Sequence, residues 1–241
     1  FGKPVEALFA QFDSEPFAAA SVAQVHRARM ADGRQVVVKV RRPGIVRQIE
    51  TDLKLLRRIL RLALLLFPAL RAHQPLALVD ELAEFLRLEV DLSHEAANMR
   101  RLAHVFKALP KVTMPAVIDP LAHPEVIVQG FSSGQSLQAA YGTERAPKLA
   151  GVVLDAYLHQ LFAEGVFHAD PHPGNLYEMA DGRICFHDFG SIGYLDPESR
   201  EQLAQLIEFI VVKDAAGVLD ASMALGFIRA GAERRGYQRA I

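Results

Sequence analysis

The sequence lacks what a disulfide-stapled or membrane-spanning protein needs. Its 241 residues include one cysteine, Cys185, and no tryptophan. A single thiol inside the apolar run ICF cannot form an intrachain disulfide, so we expect a small core residue in a reducing compartment. The sequence shows no signal peptide, and no apolar run reaches the roughly 18 residues that can cross a bilayer.

An excess of charge of one sign is also missing. The 27 basic and 28 acidic residues give a formal net charge of -1, so no nucleic-acid partner is expected. With 51% apolar residues the chain is long enough for a two-lobed core. Because there is no N-terminal methionine, we expect a domain of a longer protein.

Three short segments share a spacing that indicates phosphoryl transfer. Lys39 ends the apolar run VVVK, Asp170 and Asn175 lie five residues apart in HADPHPGN, and Asp188 begins DFG thirteen residues after Asn175. In protein kinases a strand lysine binds the nucleotide phosphates and a loop aspartate accepts the substrate proton. An asparagine and the DFG aspartate hold magnesium. We therefore predict catalytic roles for Lys39 and Asp170, a magnesium site at Asn175 and Asp188, and ATP or ADP as the nucleotide.

Glycine is missing where a kinase nucleotide loop would have it. Residues 16–40 alternate like a hairpin that turns at Asp32–Gly33. Glycine lets backbone N–H groups approach phosphate oxygens without an intervening Cβ, so a loop of alanines is expected to hold ATP less closely. The kinase pattern G-x-G-x-x-G-x-V has Ala18, Ala20, Ala23 and Val25 at its places, and the predicted nucleotide loop also includes Ala19 and Ser21.

The remaining kinase parts are assigned by position. Glu95, in a helical stretch predicted from Leu76 to Leu109, is the candidate partner of Lys39. The apolar segments VTMPAVI and EVIVQGF read as the remaining strands of a small sheet. The connection that follows places Gln129 and Phe131 beside the adenine.

The segment from Arg41 to Arg71 is helical and basic, with eight basic and two acidic side chains. Its apolar centre, ILRLALLLFPAL, is too short to cross a membrane. Two interpretations stay open: a helix packed on the domain with a solvated basic face, or a helix that lies on an anionic membrane surface.

Taken together, AAASVAQVH, VVVKV with RRPG, LEVDLSHEAANM, HADPHPGNL and DFG resemble the UbiB family of atypical protein-kinase-like ATPases. The resemblance implies an α+β, two-lobed kinase-like fold with a small antiparallel N-lobe sheet, a helical insertion and a mainly helical C-lobe. It places the N-lobe at residues 1–131, the insertion at 41–109 and a C-lobe, incomplete at its end, at 132–241. Glu89 and Asp91 match the family's Glu-x-Asp element, whose Lys-x-Gly-Gln partner is absent from this chain.

The resemblance also implies a function. It implies magnesium-dependent ATPase activity that supports ubiquinone biosynthesis, with peripheral association at the cytoplasmic side of a membrane. The implied partners are an anionic membrane surface or isoprenoid lipid, and a quinone-biosynthesis protein complex. Two other classes stay open: a small-molecule phosphotransferase of the aminoglycoside or choline kinase type, and a non-catalytic nucleotide-binding scaffold.

Overall fold

The alternating residues around Asp32–Gly33 form a hairpin in the computed structural model, which describes residues 1–228. Strands β3 (Ala23–Arg29) and β4 (Gln35–Arg41) pair antiparallel, with Val25 opposite Lys39. They are central to a six-stranded antiparallel sheet in the order β1-β3-β4-β7-β6, with β2 paired to β3. The other strands are β1 (Gln11–Phe12), β2 (Ala18–Ala19), β6 (Val117–His123) and β7 (Val126–Gly130).

Strand alternation gives this sheet two covered faces. Val36, Val38 and Val128 face a cluster that Phe9 and Leu121 complete, next to the short helix α1 (Val5–Leu8). Ile127, which pairs with Lys39, belongs instead to the largest core of the molecule. Lys39 is therefore held over the core-facing side of the sheet.

The region predicted as one helix from Leu76 to Leu109 forms two helices in the structure. Helix α2 (Ile45–Leu66) leads through a 3₁₀ turn (Pro68–His73) into α3 (Pro75–Glu89), and α4 spans Leu92–Phe106. The expected single stretch from Leu76 to Leu109 was wrong, because Asp91 interrupts it. Its carboxylate accepts a hydrogen bond from the Ser93 N–H at 2.9 Å and so caps the N-terminus of α4.

The expectation for VTMPAVI also needs correction. Its first part forms β5 (Val112–Thr113), which pairs parallel with β11 (Ile184–Phe186). It therefore joins a four-stranded sheet of the second lobe, in the order β5-β11-β10-β8, instead of the N-lobe sheet. That sheet also contains β8 (Gln135–Ser136) and β10 (Leu176–Glu178).

The rest of the second lobe contains the segments HADPHPGN and DFG. Helix α5 (Ala146–Leu158) continues into a π-helical turn (His159–Glu164) that ends at Gly165, whose φ of 69° favours glycine. Strand β9 (Val166–His168) follows and pairs with β12 (Ile192–Tyr194). A 3₁₀ turn (Pro173–Asn175) precedes β10, and the described part closes with α6 (Pro197–Val211) and α7 (Ala215–Ala224). The expected α+β kinase-like class is confirmed, while the division at residue 131 stays a prediction.

Candidate functional site

Two elements that are distant in sequence bring Lys39 and Glu95 together. Lys39 lies near the end of β4, and Glu95 lies in the first turn of α4. The Lys39 Nζ donates to Glu95 Oε2 at 2.7 Å, with side chains only 12% and 6% exposed. The structure thus places together the two residues that were expected to pair.

Burial and neighbouring charges shift the pKa values of Lys39 and Glu95 in opposite directions. Burial alone lowers the pKa of Lys39, but the carboxylates of Glu95, Asp188 and Glu89 outweigh it and hold that pKa above its ordinary value. Burial raises the pKa of Glu95, and the Lys39 charge opposes that rise. The 2.7 Å contact and the extra carboxylates favour a charged ammonium. Lys39 is therefore prepared for an anion such as phosphate.

The DFG turn is fixed by a residue that sequence analysis missed. Asn98 is buried and donates through Nδ2 to the Phe189 carbonyl at 2.9 Å. It lies three residues after Glu95, so the two share one face of α4. This spacing of two polar residues within an apolar helix face was the available signal.

Asp188 itself has a strained backbone. Its φ is 57°, a region that non-glycine residues seldom adopt. Its Oδ1 accepts the Gly190 N–H at 3.3 Å, which leaves the exposed carboxylate directed away from the core. Such strain is typical of functional turns.

His168 braces the loop that carries Asp170. It is fully buried, and its Nε2 lies 2.9 Å from the His187 carbonyl and 2.8 Å from the Asp188 carbonyl. Because both neighbours are acceptors, Nε2 carries the proton, and Nδ1 accepts the Asp170 N–H at 3.3 Å. Burial lowers the pKa of His168, which favours this neutral form.

Two further side chains hold His168 in place. The Tyr157 hydroxyl donates to the His168 carbonyl at 2.8 Å. The side chain of Gln160, fully buried, accepts the His168 N–H at 2.9 Å through Oε1. One histidine therefore connects α5, the loop at Asp170 and the turn at Asp188.

The oxygen atoms of Asn175 and Asp188 suit a magnesium ion. Asn175 Nδ2 donates to the Asp170 carbonyl at 3.2 Å and lies 3.4 Å from Asp170 Oδ2. Since the amide nitrogen faces these two acceptors, the Asn175 carbonyl oxygen is directed away from them and is available as a hard ligand. Among residues 1–228 no cluster of three or more His, Cys, Asp or Glu side chains could hold a metal by itself. Phosphate oxygens and water would supply the remaining ligands.

His172 occupies the position at which protein kinases have a lysine. Its Nδ1 accepts the Gly174 N–H at 3.0 Å, and its Nε2 lies 3.7 Å from Asp170 Oδ2. A Cβ on Gly174 would lie 2.6 Å from the imidazole Cε1, so a larger residue there would displace the His172 ring. His172 thus shapes the loop.

The alanine loop covers the cavity that Lys39 and Glu95 line. None of its residues has a positive φ, so alanine adopts the observed backbone without strain. Ala20 N–H donates to the Ala23 carbonyl at 2.9 Å, and Arg42 Nη2 donates to the Ala20 carbonyl at 3.1 Å. At the tip Ser21 Oγ donates to Glu89 Oε1 at 3.1 Å. The loop is therefore held by contacts on both sides.

One cavity gathers much of the predicted site. Its volume of about 20 Å³ is space for little more than one water molecule. Of the predicted residues it is lined by Ala20, Ser21, Lys39, Glu89, Asp91, Glu95 and Asp188, and Val22, Leu88 and Gly190 complete it.

Other predicted residues lie outside this cavity. Ala18 and Ala19 form β2, and Ala23 and Val25 lie in β3. Asp170 and Asn175 contact each other on the loop that follows β9. They do not line the cavity, although the His168 brace links their loop to Asp188.

The two predicted adenine neighbours are placed differently from each other. Gln129 lies in β7, and its buried Oε1 has no hydrogen-bond partner among residues 1–228. The Arg27 guanidinium carbon lies 5.5 Å from the centre of the Phe131 ring and 4.8 Å from the centre of the Phe17 ring. Sequence analysis did not single out Arg27 or Phe17.

Comparisons with known proteins agree with this geometry. A model of the ABC1 atypical kinase-like domain matches residues 1–222. The chain belongs to this family. The match confirms the UbiB-like resemblance that the motifs indicated.

Individual relatives share most of this chain. "Protein ACTIVITY OF BC1 COMPLEX KINASE 8, chloroplastic" of Arabidopsis thaliana is 37% identical over 236 residues, which cover 94% of this chain and 31% of that protein. An uncharacterized Synechocystis protein is 33% identical over 233 residues, which cover 95% of this chain and 34% of its own. The chain thus spans about a third of these relatives.

A solved structure supports the same fold. The complex of Rv3197 with erythromycin, from Mycobacterium tuberculosis, superposes with a TM-score of 0.75 at 29% sequence identity. The alignment covers 93% of this chain and 57% of that one. Within residues 1–228 no helix is both long and apolar enough to span a membrane.

Proposed function

We propose that this kinase-like domain binds Mg-ATP and Mg-ADP between its lobes and is an ATPase or phosphotransferase of the atypical kinase type. The observation that carries the proposal is the buried Lys39–Glu95 pair at 2.7 Å. Its ammonium is also close enough to Asp188 for that carboxylate to raise the Lys39 pKa. Burying two charges carries a large desolvation cost, and a role in phosphate binding explains why the chain retains the pair.

Each side chain has a role that its contacts support. Lys39, held by Glu95, binds the nucleotide phosphates, and Asn175 and Asp188 hold the metal through oxygen. A magnesium ion that Asn175 and Asp188 would hold would supply positive charge against the charge that develops on a transferred phosphoryl group. Asp170, exposed and close to the Asn175 amide, orients the attacking hydroxyl or water and accepts its proton.

The cellular part of the proposal comes from family membership. UbiB-like proteins are expected to support isoprenoid quinone biosynthesis at a membrane, so we assign that role here. The domain then associates peripherally with the cytoplasmic side of a membrane and contacts isoprenoid lipid or a quinone-biosynthesis complex. The test is ATP turnover with and without a quinone-head-group mimic and anionic vesicles; unchanged turnover in every combination contradicts this part.

The metal assignment has a direct test. Mg-ADP and Mg-ATP should raise the melting temperature of the domain, and Asp188→Asn should abolish that rise because the carboxylate ligand is lost. The matched control is Asp181→Asn, an exposed aspartate on the same lobe that pairs with Arg183. An Asp188→Asn variant with the full metal-dependent shift would exclude Asp188 from the site.

A second candidate is a nucleotide-binding scaffold without turnover. The specific observation that favours it is the closed loop, because Ser21 contacts Glu89 and the cavity holds little more than one water. The two functions separate cleanly in one experiment. A domain that shows the Mg-ADP shift but releases no phosphate from ATP is a scaffold; phosphate release that Asp170→Asn abolishes indicates the enzyme.

A further inference from the structure

The helices α2 and α3 form a hairpin with a small core of its own. Of the 22 residues of α2 only Leu53 is buried. It packs on Val79 and Ala83 of α3, and the partly buried neighbours of this cluster come from the same two helices: Ile49, Leu56, Leu60 and Leu86. The hairpin therefore projects an outer surface that the described part of the chain leaves uncovered.

Helix α2 has three faces. At about 100° per residue, three sets of side chains fall about 120° apart around the helix axis. One set packs on α3: Leu53, Leu56 and Leu60. The second is basic, Lys54, Arg58 and Arg61, and the third is apolar and exposed, Leu55, Ile59, Leu62 and Leu66. A helix that only packed on a domain would need the first face and a polar remainder.

The exposed apolar side chains are concentrated at the tip of the hairpin. We define the hairpin tip as Leu62, Leu65, Leu66, Phe67, Leu70 and Leu78. Each of these side chains is between 41% and 70% exposed. Exposed large apolar side chains are normal singly, but a contiguous group indicates an interaction surface.

Charges are separated along the hairpin. From Leu53 to Val79 there is no acidic residue, and the five basic ones are Lys54, Arg57, Arg58, Arg61 and Arg71. Only Arg57 of these is ion-paired in the described residues, with Asp80 at 2.8 Å. The acidic side chains of the hairpin lie toward its base, among them Glu50, Glu81 and Glu84. The apolar hairpin tip therefore adjoins unpaired cations at Arg58, Arg61 and Arg71.

We propose that the hairpin tip docks on an anionic lipid bilayer. Its leucines and Phe67 enter the boundary between headgroups and acyl chains, and Arg58, Arg61 and Arg71 contact lipid phosphates. A purely apolar partner would match the leucines but leave the arginines without counter-charges, whereas anionic headgroups over hydrocarbon match both. The inference deepens the membrane part of the proposed function, and its failure leaves the metal and turnover tests unaffected.

The absence of tryptophan makes a clean experiment possible. Phe67→Trp places the sole tryptophan of the chain at the tip, and its fluorescence is followed as vesicles are added. With phosphatidylglycerol vesicles the emission should move to shorter wavelength, and brominated lipid should quench it. With phosphatidylcholine vesicles the change should be much smaller. Adding Arg58→Glu and Arg61→Glu should weaken binding at least about 25-fold, since each basic residue contributes about 1 kcal/mol.

The matched control is Phe227→Trp, an exposed position of similar accessibility outside the hairpin. Its emission should not respond to vesicles. Three results would overturn the proposal: no response of the Phe67→Trp variant to any vesicle, an equal response of the Phe227→Trp variant, or a Phe67→Trp spectrum that is already blue-shifted without lipid and follows protein concentration. The last result would assign the tip to contact between two copies of the chain.

Discussion

The Lys39–Glu95 pair places two charges in the interior, and each of them depends on the other for its stability there. Each side chain is almost completely buried, so removing one partner leaves the other as an uncompensated buried charge. Such losses cost about 3–5 kcal/mol in folding free energy. The pair should therefore act as a unit in stability and in turnover.

A double-mutant cycle tests this coupling. Lys39→Ala and Glu95→Ala should each lower ATP turnover sharply, and the double variant should be little worse than either, because residues that act together are not additive. Unfolding free energies should show the same pattern. Arg34→Ala with Asp32→Ala, an exposed pair, is the control cycle and should be close to neutral. Additive losses for Lys39 and Glu95 would contradict the pairing.

The histidines beside the site predict a pH dependence. Burial lowers the pKa of His187 to about 4. The negative charge of Asp188 acts in the opposite direction but does not outweigh burial. The unfolded chain, with an ordinary histidine pKa near 6.5, binds the proton first as pH falls. The stability from neutral His187 is therefore complete above about pH 6.5 and is lost as pH falls toward about 4. The loss is about 3 kcal/mol, since one pKa unit is about 1.4 kcal/mol.

Urea unfolding at several pH values measures this effect. His187→Phe should reduce the decline in unfolding free energy between about pH 6.5 and about pH 4, because the titrating group is gone. Part of the decline should remain, since burial also lowers the pKa of His168. His123→Phe, at an exposed position, is the control for the substitution itself. A wild-type stability that is flat across this range would show that His187 is not held neutral.

At the scale of elements, the alanine loop is closed by its contacts. Ala20 lies where the second glycine of a kinase loop would lie, and its Cβ is expected to hinder the backbone from closing over bound phosphates. Ala20→Gly should tighten Mg-ATP binding if this release exceeds the ordering cost of up to about 1 kcal/mol, and we expect that it does. The change should also make turnover more kinase-like. Titration calorimetry measures the affinity, with Ala31→Gly, in the turn at Asp32–Gly33, as control.

The outcome discriminates between two explanations for the alanines. Equal or weaker affinity in Ala20→Gly would mean that the alanines serve local packing. A parallel gain in Ser21→Ala, which loses the bond to Glu89, would show that the closed loop itself limits access.

Local patterns predicted the elements that depend on neighbours in sequence. The hairpin around Asp32–Gly33 was predictable because alternation and turn chemistry are local. The pairing of Val112 with Ile184 was not, since a two-residue strand carries no information about a partner 72 residues away. Asp91 carries a helix-cap signal, but the apolar periodicity continues on both sides of it. The pattern is therefore equally consistent with one long helix.

The candidate site likewise contains some residues that local spacing predicts and some contacts that it does not. Motif spacing predicted Lys39, Asp170, Asn175 and Asp188 as site residues. The contact between Ser21 and Glu89 joins residues 68 positions apart, and no spacing rule relates them. The exposure of the hairpin tip was likewise invisible, because an apolar helix face reads the same whether it is covered or bare.

At the scale of the whole molecule, the hydrophobic cores differ in how many elements they join. The largest core joins α4 to strands β5, β10 and β11 and to Phe189, so it connects the sheet of one lobe with the other lobe. The hairpin core consists of α2 and α3 alone. The two lobes should therefore unfold together, while the hairpin opens separately at lower free energy.

Hydrogen exchange read by mass spectrometry tests this hierarchy. Peptides from residues 45–89 should exchange before those of α4, β4 and β7. Leu53→Ala, at 3% exposure, should speed exchange in the hairpin and leave α4 protected. Leu102→Ala, fully buried in the shared core, should lower global unfolding free energy by about 2–5 kcal/mol. Because both substitutions remove the same atoms from a buried leucine, the difference reports which core is cooperative with the lobes. Equal global destabilisation by the two variants would mean that the hairpin unfolds together with the two lobes.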